Sequence, residues 1–99
     1  MAIIVAIMKN YSTNKIPSQI LSELAFRFKK IRKNQKQSQP ETARRSGVSL
    51  GSLKRFEQTG QISLISLLKL AHLFDRLSDF ETVCEEKTDM KAIEKLFKK

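Results

Sequence analysis

Apolar residues recur every three or four positions through the middle of the chain, which predicts a series of short amphipathic helices. The first predicted helix follows a polar linker that contains Pro17, and Ser18 is placed to cap it. Its apolar face carries Leu21, Leu24, Phe28 and Ile31. The opposite face is almost uniformly basic, and Lys30, Lys33 and the following Lys36 are candidate contacts for phosphate groups.

The ends of the next two helices are predicted by their terminal residues. Ser38 at an N-cap, with Glu41 three residues later, forms a capping box. Gly47 is suited to the left-handed residue that follows a helix end. Ser49 is the N-cap of the following helix, and Gly60 closes it. Two short helices joined by a tight turn are therefore expected between residues 38 and 60.

The segment that follows Gly60 is apolar nearly all round, so we expect it to form the buried centre of the domain. Its main face is expected to contain Leu64, Leu67, Leu68, Ala71 and Phe74, widened by Ile65, Leu70 and Leu73. A fifth short helix is predicted next, with Leu77, Phe80 and either Val83 or Cys84 packing back on the core. A last amphipathic helix carries Met90, Ile93, Leu96 and Phe97 on one side, and it is expected to dock on its own domain, on a second copy or on another protein.

The 99 residues suit one small all-α domain over residues 18–84, with an extension at 1–17 and a tail at 85–99. The extension contains a run of seven apolar residues, Ala2 to Met8, which is too short to span a bilayer. It has no basic leader and no small-residue cleavage site, so no membrane association and no secretory signal are expected. Three interpretations stay open: a strand that pairs with a second copy, a disordered extension, or an upstream start with Met8 as the functional initiator.

The charge is strongly basic and unevenly distributed. Nineteen Lys and Arg against ten Asp and Glu give a net charge of +9. Residues 1–76 hold fourteen basic and four acidic side chains, whereas residues 77–99 hold five basic and six acidic ones. A basic body of this kind favours an anionic partner, of which double-stranded DNA is the leading candidate.

The sequence argues against an enzyme and against a cofactor. Cys84 and His72 are the only Cys and His, so neither an intrachain disulfide nor a metal site with His or Cys spacing is expected. The chain has no nucleophile elbow and no phosphate-binding glycine loop, and no pair of carboxylates is placed for general acid–base chemistry. A single cysteine also fits a reducing cytoplasm.

Two short helices joined by Gly47, Val48 and Ser49 match a helix-turn-helix, whose second helix enters the major groove of DNA. The first turn of that helix meets base edges, so Gly51 would let the helix backbone approach the DNA closely. The alternative is that Gly51 is merely tolerated on an exposed first turn. The remaining candidate contacts are the hydroxyls of Ser49 and Ser52 and the charges of Lys54 and Arg55. Arginine is the commonest reader of guanine.

Residues 23–82 resemble the five-helix domain of the Xre/Cro-type phage-repressor family. The "SQ" at Ser38 and Gln39, the "GVS" turn and the "RFEQTG" helix ending carry the resemblance. It implies that Gln39 contacts phosphate and that Glu57 pairs with Arg32. It also implies a homodimer on a near-palindromic operator, with base recognition by Leu50, Gly51, Ser52, Lys54 and Arg55.

The chain departs from the family pattern at several positions. Thr42 replaces a leucine-like core residue, and Ser46 replaces alanine. Leu50 and Gly51 stand where polar base readers often stand, so we expect a thymine-methyl contact from Leu50 and greater reliance on Arg55 and DNA shape.

A narrower resemblance concerns the run from residue 45 to residue 71 and the tail sequence "KAIEKLF". Both are similar to HipB-like antitoxins, which repress their own operon and bind a kinase toxin of the HipA type. The resemblance implies an autoregulating repressor with a kinase toxin as partner. The alternatives are a phage-type or stand-alone regulator, or a protein-interaction module whose basic face meets an acidic partner.

Overall fold

The computed structural model describes residues 15–86, and these form four α-helices and a 3-10 helix without any strand. The elements in chain order are α1 (Pro17–Asn34), α2 (Gln39–Ser46), α3 (Leu50–Thr59), α4 (Leu64–Leu73) and the 3-10 helix Leu77–Phe80. The all-α prediction is confirmed for this part of the chain. The predictions for the extension around Ala2 to Met8 and for the tail helix that starts near Met90 lie outside the described residues.

Serine side chains begin three successive helices. Ser38 Oγ accepts the backbone N–H of Glu41 at 3.2 Å at the start of α2. Ser49 Oγ accepts from Ser52 N–H at 3.1 Å at the start of α3, and Ser63 begins α4 in the same way. These bonds satisfy N–H groups that have no partner inside the helix, so the predicted caps at Ser38 and Ser49 are confirmed.

Glycines in the left-handed conformation end α2 and α3. Gly47 has φ of 80°, as predicted, and Gly60, which was predicted only to close the helix, has φ of 81°. At Gly60 a Cβ atom would also lie 2.8 Å from the backbone carbonyl carbon of Leu21 on α1. Gly60 therefore has two separate reasons to be glycine, whereas at Gly47 the surrounding space is open and only the backbone conformation requires it.

Two predictions about helix starts need correction. The helix α1 begins at Pro17 with Ile16 as its N-cap, so Ser18 lies inside the first turn and does not cap it. Proline at the first position costs no hydrogen bond, because that N–H would have no partner in the helix. At α2, the Glu41 carboxylate lies 3.8 Å from Arg45 Nη1, and only the Ser38 half of the capping box is present among the described contacts.

The core lies where α1 packs against α3, and α2 packs against both α3 and α4. Phe28 of α1 sits edge-on to Phe56 of α3, with 5.6 Å between ring centroids, and 6.2 Å from Phe74 at the end of α4. Leu53 and Leu70 are fully buried beside them. This packing fixes the position of α3 from its inner side.

The prediction that α4 is buried nearly all round is wrong. Leu64 is 66% exposed and Ile65 is 61% exposed, because the neighbouring helices cover only the side that carries Leu67, Leu70 and Ala71. The predicted fifth helix is a four-residue 3-10 helix. Of its expected core residues, Phe80 is half-buried and packs on the core, whereas Leu77, Val83 and Cys84 are exposed.

Candidate nucleic-acid interface

The inner face of α3 is attached to the domain by an ion pair as well as by apolar packing. Arg32 Nε donates to Glu57 Oε2 at 2.7 Å, and Arg32 Nη2 donates to Glu57 Oε1 at 2.9 Å. The two side chains are only 9% and 3% exposed. A two-point contact of this geometry fixes direction as well as distance, so it sets how α3 is rotated against α1. The pair implied by the family resemblance is present.

The loop before α2 and the first residue of α2 are also hydrogen-bonded to this ion pair. Arg32 Nη1 donates to the carbonyl oxygen of Gln37 at 2.9 Å, and Gln39 Nε2 donates to Glu57 Oε1 at 3.0 Å. The network therefore connects α1, the loop before α2, the first residue of α2 and the inner face of α3. Within residues 15–86, no buried side-chain nitrogen or oxygen lacks a hydrogen-bond partner. A fully satisfied buried network of this kind holds its elements rigidly in one arrangement.

The presence of a polar residue at the buried position 42 is explained by a hydrogen bond to the loop before α2. Thr42 is fully buried, and its Oγ1 donates to Gln37 Oε1 at 3.0 Å. A leucine-like residue at this position could not make that bond, and the buried Gln37 amide oxygen would lose this donor. The departure from the family pattern thus has a structural role in the loop that leads into α2.

The outer face of α3 carries no large apolar side chain. Gly51, Ser52, Lys54 and Arg55 are all exposed. Gln58 is exposed as well, and sequence reasoning missed it. It lies three residues after Arg55 and four after Lys54, so helical spacing puts it on the same side of α3. From that spacing alone, Gln58 could have been predicted to lie on the outer face of α3.

The first turn of α3 divides its residues between the cap, the core and solvent. Ser49 Oγ donates to Ser52 Oγ at 2.8 Å in addition to its capping bond, so both hydroxyls take part in the helix start. Leu50 is half-buried and packs against the core, which leaves only part of its side chain for an external contact. At Gly51 a Cβ atom would meet nothing within 4 Å, so the fold does not require glycine there.

A shallow depression adjoins the outer face of α3. Its volume is about 230 Å³, and it is lined by Ser52, Arg55, Gln61, Ile62, Ser63 and Ser66. It extends the polar and basic surface of α3 toward the first turn of α4. The charge of Arg55 therefore lies beside a concave and mostly polar surface.

The predicted phosphate contacts do not all lie in one place. Gln39 is half-buried beside Glu57, and Lys33 and Lys36 are exposed near the C-terminal end of α1. Lys30 is also exposed, but it borders an apolar groove between α1 and α4. The structure joins Gln39 to α3 by a direct contact and leaves the three lysines on the surface of α1 and of the loop that follows it.

In comparisons with known proteins, no family model, no curated protein and no solved structure matches this chain. Among residues 15–86, none of the helices is long and apolar enough to cross a membrane. In the same part of the chain, no three His, Cys, Asp or Glu side chains are grouped closely enough to hold a metal ion.

Proposed function

We propose that this chain is a sequence-specific DNA-binding repressor of transcription, in which α2, the connection of Gly47, Val48 and Ser49, and α3 act as a helix-turn-helix. One observation carries the proposal. The inner face of α3 is held by a buried, fully paired ion network, whereas its outer face presents small, polar and basic side chains to solvent. A helix that enters the major groove must be held in a fixed orientation on its domain. Its outer face must carry small, polar and basic side chains that can contact base edges.

The side chains on the outer face suit different parts of a DNA duplex. Arg55 can donate two hydrogen bonds to the O6 and N7 atoms of a guanine. Gly51 lets the backbone approach the bases, because no Cβ projects at that position. Gln39 can contact a phosphate while it remains bonded to Glu57, because an amide nitrogen carries two hydrogens. Lys33 and Lys36 add phosphate contacts that carry no sequence information.

A homodimer forms part of the proposal. The helix α3 has ten residues, which corresponds to a length of about 15 Å, so a single copy meets only a few base pairs. Two copies on neighbouring half-sites double the contacts and make the operator nearly palindromic. An autoregulating antitoxin that binds a HipA-like kinase toxin is a narrower form of the proposal, and it rests on the sequence resemblance of α3 and the tail.

The decisive experiment selects preferred duplexes from a random DNA library with the full chain. The selected duplex is then labelled and titrated with protein in the presence of a scrambled duplex, at low and at physiological salt. A specific regulator should prefer the selected sequence by about a thousandfold or more. Equal, salt-sensitive binding to both duplexes would overturn the proposal. It would favour the alternative that the basic surface serves an acidic protein.

A further inference from the structure

The direction in which α3 faces away from the domain follows from its buried side chains. Leu53 and Phe56 are fully buried, and the side chain of Glu57 is only 3% exposed. Successive residues of an α-helix are rotated by about 100° about the helix axis. The outward direction is opposite to the mean direction of these three side chains, and the other residues of α3 can be placed relative to it.

Three residues lie close to this outward direction. Gly51, Arg55 and Gln58 are each within about 35° of it, whereas Lys54 is about 70° away. All four residues are exposed. Gln58 is therefore more central on the outer face than Lys54, although the family resemblance implies base recognition by Lys54 and leaves Gln58 out.

The first turn of α3 presents little that can reach far from the helix. Gly51 has no side chain, and Leu50 is half-buried against the core. The short side chain of Ser52 already accepts a hydrogen bond from Ser49 Oγ at 2.8 Å. A first turn without long side chains lets α3 lie close to the floor of a major groove, so side chains of its later turns can reach base edges.

Arg55 and Gln58 are the two long polar side chains at the centre of the outer face. Within residues 15–86, neither side chain takes part in any side-chain hydrogen bond, so their polar groups are available to a ligand. The amide of a glutamine has donor hydrogens and an acceptor oxygen, and it can bond to N6 and N7 of one adenine at the same time.

The spacing of these two side chains matches the spacing of stacked bases. Positions 55 and 58 are about 4.5 Å apart along the helix axis, because each residue of an α-helix rises about 1.5 Å. Base pairs of duplex DNA are stacked about 3.4 Å apart. Side chains at positions 55 and 58 can therefore meet neighbouring base pairs.

We propose that Gln58 is a specificity-determining residue, which recognises an adenine next to the guanine that Arg55 contacts. The inference rests on the proposed function, because it requires α3 to lie in the major groove. It assigns part of the recognition sequence, since each half-site should contain a guanine and an adenine at neighbouring positions. Lys54, at the side of α3, contacts phosphate and carries no sequence information.

Selection of duplexes from a random library, with the full chain and with its variants, tests this assignment. The unsubstituted chain should select the neighbouring guanine and adenine. Gln58→Ala should lower the preference for that adenine by about 5- to 150-fold and leave the guanine selected. Gln58→Arg should select a guanine in place of the adenine, because arginine bonds to O6 and N7 of guanine. A new preference at one base pair cannot come from a variant that fails to fold.

The outcomes separate this inference from the proposed function. If the unsubstituted chain selects no sequence, the proposed function is wrong and the assignment of Gln58 is wrong with it. If the chain selects a sequence but Gln58→Ala weakens binding to every duplex equally, the assignment of Gln58 alone is wrong.

Lys54→Ala is the matched comparison, because Lys54 lies one turn before Gln58 but at the side of the outer face. This variant should weaken binding to all duplexes by a similar factor and should still select the adenine. Loss of the adenine in Lys54→Ala, with the adenine retained in Gln58→Ala, would assign that base to Lys54 and overturn the proposal.

Discussion

The inner and outer faces of α3 differ in chemistry although they share ten residues. The inner face is buried, and Glu57 on it is bonded to Arg32 and Gln39. The outer face is exposed, and Lys54 and Arg55 on it form no ion pair within the described part of the chain. Substitutions on the two faces should therefore affect stability and DNA binding separately. Inner changes should destabilise the domain, whereas outer changes should leave it folded and alter binding.

The largest effect is expected when the inner ion pair is broken. Glu57→Gln leaves the buried Arg32 without its carboxylate, which should lower the free energy of unfolding by about 3–5 kcal/mol. Urea unfolding followed by circular dichroism measures this loss. Glu41→Gln is the matched control, because its pair with Arg45 is exposed and should cost less than about 1 kcal/mol. Equal losses in both variants would show that burial does not distinguish the two pairs.

A smaller loss is expected where α3 ends against α1. Gly60→Ala should lower the free energy of unfolding by about 2 kcal/mol or more, because the left-handed backbone and the contact with Leu21 both oppose a Cβ. Gly47→Ala shares the left-handed backbone but meets open space, so it should cost about 1 kcal/mol. The same urea titration compares the two variants. If Gly47→Ala lowered the free energy of unfolding more than Gly60→Ala, the close approach of α1 at Gly60 would not contribute to the effect.

On the outer face, Arg55→Ala should leave the free energy of unfolding unchanged within about 0.5 kcal/mol. It should reduce the preference for the selected duplex over a scrambled one by about 1–3 kcal/mol, which is about 5- to 150-fold. Competition titration at fixed salt measures that preference. Lys29→Ala, an exposed change of the same charge on α1, should leave it intact. A drop in affinity that is the same for both duplexes would remove Arg55 from base recognition.

The smallest effect is also the sharpest test of the comparison, because stability and binding should move in opposite directions. Gly51→Ala should raise the free energy of unfolding by up to about 1 kcal/mol, since alanine favours the helix and its Cβ meets nothing. The same methyl group should weaken binding to the selected duplex by standing between α3 and the bases. Unchanged affinity in the more stable variant would mean that Gly51 is only tolerated on an exposed turn.

Features that depend on a few neighbouring residues were predictable from the sequence. The caps at Ser38 and Ser49 and the helix ends at Gly47 and Gly60 follow from hydrogen bonds and backbone angles within one turn. The pair of Arg32 and Glu57 spans 25 positions, and only the family resemblance pointed to it. The start of α1 was misplaced because both Pro17 and Ser18 are suited to a helix start.

Features that depend on how helices cover one another were not predictable. Leu64 and Ile65 have the same local pattern as the buried leucines of α4, yet none of the helices within residues 15–86 covers them. Gln39 appeared to be a surface residue that contacts phosphate, but its amide also reaches Glu57. Gln58 was overlooked because one polar residue on an amphipathic helix is unremarkable until its side of the helix is known.

By itself, the sequence determined the all-α class, the order of the helices, the serine and glycine ends of α2 and α3, and a strongly basic body. These properties come from local bonding and from composition, which act without knowledge of the fold. Only the tertiary structure decided that Arg32, Gln37, Gln39 and Glu57 meet in one buried network, and that apolar residues of α1 and α4 line an open groove. Both outcomes depend on which surfaces exclude water, and that is set when helices distant in sequence pack together.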